Sequence, residues 1–147
     1  MKRLLTLVAA VALAGMIMTG VTSEAQAKSP RDGVFIHISH GKDDPHMFLM
    51  GLQMANMMAT DYDVLVFFDS SAVNDILESS IDLKFAHFPS SKEALKALRA
   101  KKVVLMACKH CLKVAGKSKE HLAKGVQIAD KKAFFSFTKG RILSLDY

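Results

Sequence analysis

Five short runs of β-branched and apolar residues recur along the chain, over 33–40, 64–68, 103–107, 126–128 and 141–145. Each is separated from the next by a segment with helix signals, and this alternation constrains the fold more than any single motif does. It predicts an α/β fold: a mostly parallel five-stranded sheet inside a three-layer α/β/α sandwich, closed by right-handed crossovers. In such a sheet the ligand crevice lies beyond the carboxyl ends of the strands. Three loops are therefore expected to converge there: 40–46, 69–72 and 108–111.

The helix signals are local. Asp44 is a suitable N-cap and Pro45 suits the first helical position, so a helix is predicted to about residue 59. On it His46, Gln53, Asn56 and Thr60 form one wet stripe. The methionines at 47, 50, 54, 57 and 58 are read as adaptable core filler. Ser91, with Glu93 close behind, is read as the cap of a further helix that buries Ala94, Leu95, Ala97 and Leu98. Shorter helices are predicted over 72–77, from the second cysteine to about 115, from Ser118 to near 124, and from Asp130 through Phe137. Gly116 and Gly140 end two of them.

The first 27 residues are set apart from the fold. Lys2 and Arg3 precede a nearly unbroken apolar run over 4–18, and Ala25-Gln26-Ala27 supplies a small-x-small cleavage pattern. The run is shorter than the roughly 20 residues a spanning helix needs. Residues 1–27 are thus expected to be a signal peptide and 28–147 one domain, periplasmic or secreted and with no membrane association after processing. Half of all residues are hydrophobic, which excludes a disordered chain. The net charge of +6 is spread over short lysine-containing stretches, and Trp is absent, so no stacking platform for nucleic acid is visible.

Chemistry concentrates at Cys108-Lys109-His110-Cys111, which contains the only two cysteines. The motif stands where a strand ends and a helix begins. A thiol there faces unpaired backbone N–H groups, which favour thiolate over thiol, and Lys109 and His110 add positive charge if they point the same way. Three roles remain open at this point: a sulfur-exchanging thiol pair, a soft-metal site for copper or zinc built with nearby histidines, and a structural disulfide in a non-catalytic interaction module. One CxxC supplies only two ligands, short of a closed zinc site. The motif follows the third strand and no Trp flanks it, so it does not read as a thioredoxin. His40 and His46 flank the first turn and are candidate pocket residues. His37, inside a strand, reads as a satisfied core residue. The turn Gly41-Lys42-Asp43-Asp44-Pro45 lacks the glycines and Lys-Ser/Thr of a phosphate loop; Asp43 is expected to hold Lys42 or a neighbouring histidine.

The succession His40-Gly41-Lys42-Asp43-Asp44-Pro45-His46, then Asp63-Val64-Leu65-Val66-Phe67-Phe68-Asp69, then Val103-Val104-Leu105-Met106-Ala107-Cys108 and Cys111-Leu112-Lys113-Val114-Ala115-Gly116 resembles the DsrE/DsrF-like family, which includes the sulfur-relay Tus proteins. The resemblance implies a Rossmann-like α/β/α domain that forms homo-oligomers and needs no cofactor. It further implies a sulfurtransferase or sulfur carrier, served by sulfur donor and acceptor proteins. In that reading Cys108 carries sulfur as a persulfide and Cys111 is a resolving or second thiol. Lys109, His110, His40 and His46 then stabilise charge and shape the pocket.

Overall fold

The computed structural model describes residues 29–147; the signal-peptide reading of residues 1–27 lies outside them. Five strands form one sheet: β1 (Gly33–Ile38), β2 (Asp63–Phe68), β3 (Val104–Ala107), β4 (Val126–Ile128) and β5 (Ile142–Asp146). Their order is β4-β3-β2-β1-β5, and every pairing is parallel. Four helices connect them: α1 (Pro45–Met58), α2 (Ser91–Ala100), α3 (Lys109–Val114) and α4 (Lys131–Ser136). The chain steps outward from β1 to β4 and then returns to the far side of β1. With right-handed crossovers, that reversal sends α4 across the opposite face from α1 and α2.

Side chains alternate along each strand, so the two faces differ in composition. Val34, Ile36 and Ile38 of β1, Val66 and Phe68 of β2, and Leu105 and Ala107 of β3 share one core with Phe48, Leu49, Leu52 and Ala55 of α1. Leu95 and Leu98 of α2 and Leu112 of α3 complete it. Gly51 lets α1 approach β1 closely, since a Cβ there would meet the Ile38 side chain at 2.7 Å. The other face carries Phe35, His37 and Phe67 with the buried Leu65 and Met106, and its helical cover is the six-residue α4, which packs through Phe134.

Several local expectations need correction. The α1 methionines are not the centre of its core side, which is Phe48, Leu49, Leu52 and Ala55: Met54 and Met58 pack partly buried against the core, while Met57 is 60% exposed. The cap of α2 is Ser90, not Ser91, because Ser90 and Glu93 stand three apart and exchange both capping-box bonds. The helices expected over 72–77 and from Ser118 reduce to 3-10 turns over Ser70–Asn74 and Lys119–His121. Both give way to a tertiary pairing: Leu77 bridges Leu122, Glu78 N–H donates to the His121 carbonyl (2.9 Å), and Ala123 N–H donates to that of Ile76 (3.0 Å). The expected α1 start holds. Asp44 caps it through Met47 N–H at 3.1 Å, with Pro45 first.

Candidate functional site

Cys108 leaves β3 with its N–H donating to the Phe68 carbonyl (2.8 Å), so the strand end of β2 fixes its height. It then serves as the N-cap of α3: its Sγ accepts the Cys111 N–H at 3.1 Å. The short helix is held by Leu112, which is buried in the core, and is closed by Gly116 at φ +67°. Gly116 N–H donates to the Lys113 carbonyl and Lys117 N–H to that of Leu112, the paired bonds of a Schellman motif. One turn of helix brings the two cysteine Cα atoms to 5.3 Å, and the sulfurs form a disulfide.

The two sulfurs are not equivalent. Both cysteines are half-buried against the core. Cys111, not Cys108, lines an open depression of about 310 Å³, together with His110, Val114 and Ala115 of its own helix and Ser70 and Asn74 from the turn after β2. Ser70 adopts φ +44°, a left-handed conformation costly for a residue with a Cβ. It follows the carboxyl end of β2 and lines the same depression as Cys111.

The first loop is laced to this second one. Asp43 accepts hydrogen bonds from the Ser71 hydroxyl (2.6 Å), the Gly41 N–H (2.7 Å) and His40 Nδ1 (2.8 Å). The Ser71 hydroxyl foremost, against a smaller effect of burial, holds the Asp43 carboxyl well below the usual carboxylate range. An ionised Asp43 can only accept, so it fixes the proton of His40 on Nδ1. Beneath them Asp75 is buried, which pushes its carboxyl pKa up, and it accepts the Lys42 N–H at 2.8 Å. A Cβ at position 41 would strike that carboxylate, so only glycine fits there.

Of the sequence candidates, Cys108, Cys111 and His110 therefore sit together, and His40 joins them at one remove through Asp43, Ser71 and the turn that carries Ser70. Lys109 lies on the other flank of α3. His46 is set apart: it stacks on Phe85 (4.9 Å) and is tilted against Phe88 (5.7 Å) in the 81–90 segment. His37 lies outside the core, on the thinly covered face, and is satisfied at one ring nitrogen only. Its Nδ1 bonds Asp146 (2.9 Å) and its Nε2 lies 3.0 Å from Asp69 as an ion pair rather than an aligned hydrogen bond. Burial opposes its imidazolium, but the two carboxylates together outweigh that and raise its pKa. Ser70 and Ser71 fall in the 69–72 loop expected at this edge, whereas Asn74 lies beyond it and carries no signal in the sequence. No group of three or more His, Cys, Asp or Glu gathers in metal-binding geometry among the described residues, so the soft-metal alternative lacks a third ligand for the cysteines.

The family model for the DsrE/DsrF-like family matches residues 32–139, most of the chain. The chain belongs to the DsrE/DsrF-like family. Among solved structures, the fold is similar to the ychN protein from E. coli (TM-score 0.60, 21% identity, covering 78% of this chain and 99% of that one). It is also similar to MTH1491 from Methanobacterium thermoautotrophicum, described as a protein of unknown function (TM-score 0.54, 15% identity, 78% and 99% covered). No curated protein sequence matches the chain. At these identities the two structures establish the DsrE-like fold, and the site must be argued from its own geometry.

Proposed function

We propose that this DsrE-like domain is a sulfane-sulfur carrier, exported to the periplasm or beyond, in which Cys108 and Cys111 divide the work. The observation that carries the reading is the asymmetry of the pair: Cys108 Sγ receives the Cys111 N–H while Cys111 borders the open depression. A hydrogen bond aimed at Cys108 Sγ favours its thiolate, the nucleophile of sulfur chemistry. In the reduced protein, Cys108 thiolate attacks the outer sulfur of a donor persulfide. The donor S–S bond breaks, the donor leaves as a thiolate, and Cys108 holds the sulfur as a persulfide. The sulfur then passes to an acceptor thiolate, or Cys111 attacks Cys108 Sγ and expels hydrosulfide. The second route ends in the Cys108–Cys111 disulfide.

His110 stands beside Cys111 and supplies a donor near the departing charge. His40, oriented by Asp43, stands behind the turn whose Ser70 lines the depression. The same reading includes a homo-oligomer, for which Phe135 (83% exposed) and Ile142 on the thin side of the sheet provide apolar surface. The test is intact mass after the reduced mature protein meets a polysulfide. One added sulfur atom is expected on the wild type and in greater yield on Cys111→Ser, with none on Cys108→Ser. Sulfide release is expected from the wild type alone. No adduct on any form overturns the proposal.

A further inference from the structure

A second concavity lies on the opposite flank of α3. It measures about 550 Å³, within the usual size range of small-molecule sites. Its floor is apolar, from Leu112 and Ile128, and its rim carries Lys109, Lys113, Lys117 and Lys119. The first three recur at four-residue intervals, so like charges stand on neighbouring turns or the loop that follows, an arrangement that costs stability unless something neutralises it. None of the four lysines is ion-paired among the described residues. The one acid lining the groove is the exposed Glu120, next to Lys119 in the chain. His110 lines both this groove and the depression at Cys111, so the two are contiguous across one side chain.

We infer that the lysine-rimmed groove binds a low-molecular-weight organic anion bearing a thiol, and presents that thiol to Cys111. The inference rests on the sulfur-exchange reading above and names its co-substrate class. An apolar floor under a cationic rim fits a compact molecule with an apolar body and carboxylates. The groove is an open concavity with an apolar floor, which favours such a molecule over a flat acidic protein surface. Seated there, the ligand thiolate attacks Cys111 Sγ. The protein S–S bond breaks, a mixed disulfide forms on Cys111, and Cys108 departs as the thiolate that the Cys111 N–H stabilises. A second thiolate of the same class then attacks the ligand sulfur of the mixed disulfide and releases Cys111. Two ligand thiolates have been oxidised to one disulfide and the protein pair reduced by two electrons, ready to accept sulfur.

The test compares reduction of the oxidised protein by glutathione, which carries carboxylates, and by uncharged 2-mercaptoethanol. The wild type is set against a Lys113→Gln, Lys117→Gln, Lys119→Gln triple variant. Glutathione reduction is expected to saturate, to weaken with salt, and to slow about tenfold in the variant, the scale of electrostatic guidance into a charged cleft. The 2-mercaptoethanol rate is expected to be the same in both proteins. S-methylglutathione, which cannot react, is expected to compete with glutathione only and to bind the wild type in a titration. Should glutathione reduction be unsaturable and indifferent to the lysines while 2-mercaptoethanol opens the disulfide, the groove proposal alone is lost. An acidic protein as the true occupant would give that same result. A disulfide that neither thiol opens in the native protein removes the sulfur-exchange reading and the co-substrate with it.

Discussion

The two faces of the sheet are built from the same strands and differ in almost everything else. Toward α1 and α2, Val34, Ile36, Ile38, Val66 and Phe68 are 5% exposed or less and pack on fully buried helix side chains. Toward α4, Leu65 and Met106 are buried at the centre of the sheet, but Phe35 and Phe67 are only half-buried, and His37 sits between two carboxylates. Three crossovers run along the first face and one along the second, so the strand order alone starves the second of cover. Stability is expected to reside on the first face and responsiveness to conditions on the second.

The sharpest way to break this contrast is Phe68→Ala. Phe68 is fully buried and meets Phe48 at 6.0 Å. Its loss should cost about 3–5 kcal/mol in denaturant titration, the usual range for a deleted core aromatic. Gly51→Val comes next. It forces a side chain against Ile38 and should cost about 1–3 kcal/mol from overpacking. Phe134→Ala probes the thin face. Although this ring meets Phe35 (5.9 Å) and Phe67 (5.3 Å), it is half-exposed, and the expected loss is only about 1–2 kcal/mol, near the worth of its aromatic pairs. A loss equal to that of Phe68→Ala would erase the distinction between the faces.

The smallest effect sharpens it. The folded pKa of His37 is raised above 6.5, so its pairing with Asp69 and Asp146 contributes fully below that pH and is lost as pH rises through the raised value. Asp146 is largely exposed, so screening keeps the contribution under about 1 kcal/mol. Stability of wild type relative to His37→Gln should therefore fall as pH rises from 6.5 through the raised pKa, and added salt should flatten the difference. A pH-independent difference would place the histidine's role in packing instead.

What could be read in advance follows the range of the interactions. The strand runs, the Asp44–Pro45 helix start and the cysteine pair at a strand-to-helix junction are each specified within a few residues, and the structure reproduces them. The α2 cap was also legible, since Ser90 rather than Ser91 stands three before Glu93. The 118–124 segment was not. Its helix-forming residues lose to the Leu77–Leu122 bridge, a pairing across more than forty positions that no local pattern announces. Likewise, the site's histidines looked interchangeable along the chain, yet His40 is tied to Asp43 and Ser71 while His46 leaves to stack on Phe85.

The sequence by itself determined the α/β alternation and the place of the CxxC, because hydrophobic period, caps and turn residues act over one or two turns of chain. Only the tertiary structure decided that Cys111 borders the opening while Cys108 receives the N–H, and that four lysines gather on one side of α3. It also decided that one face of the sheet is left thin. Those outcomes depend on which strand neighbours which and how a short helix is rotated against the core, and both are set by packing between segments far apart in the chain.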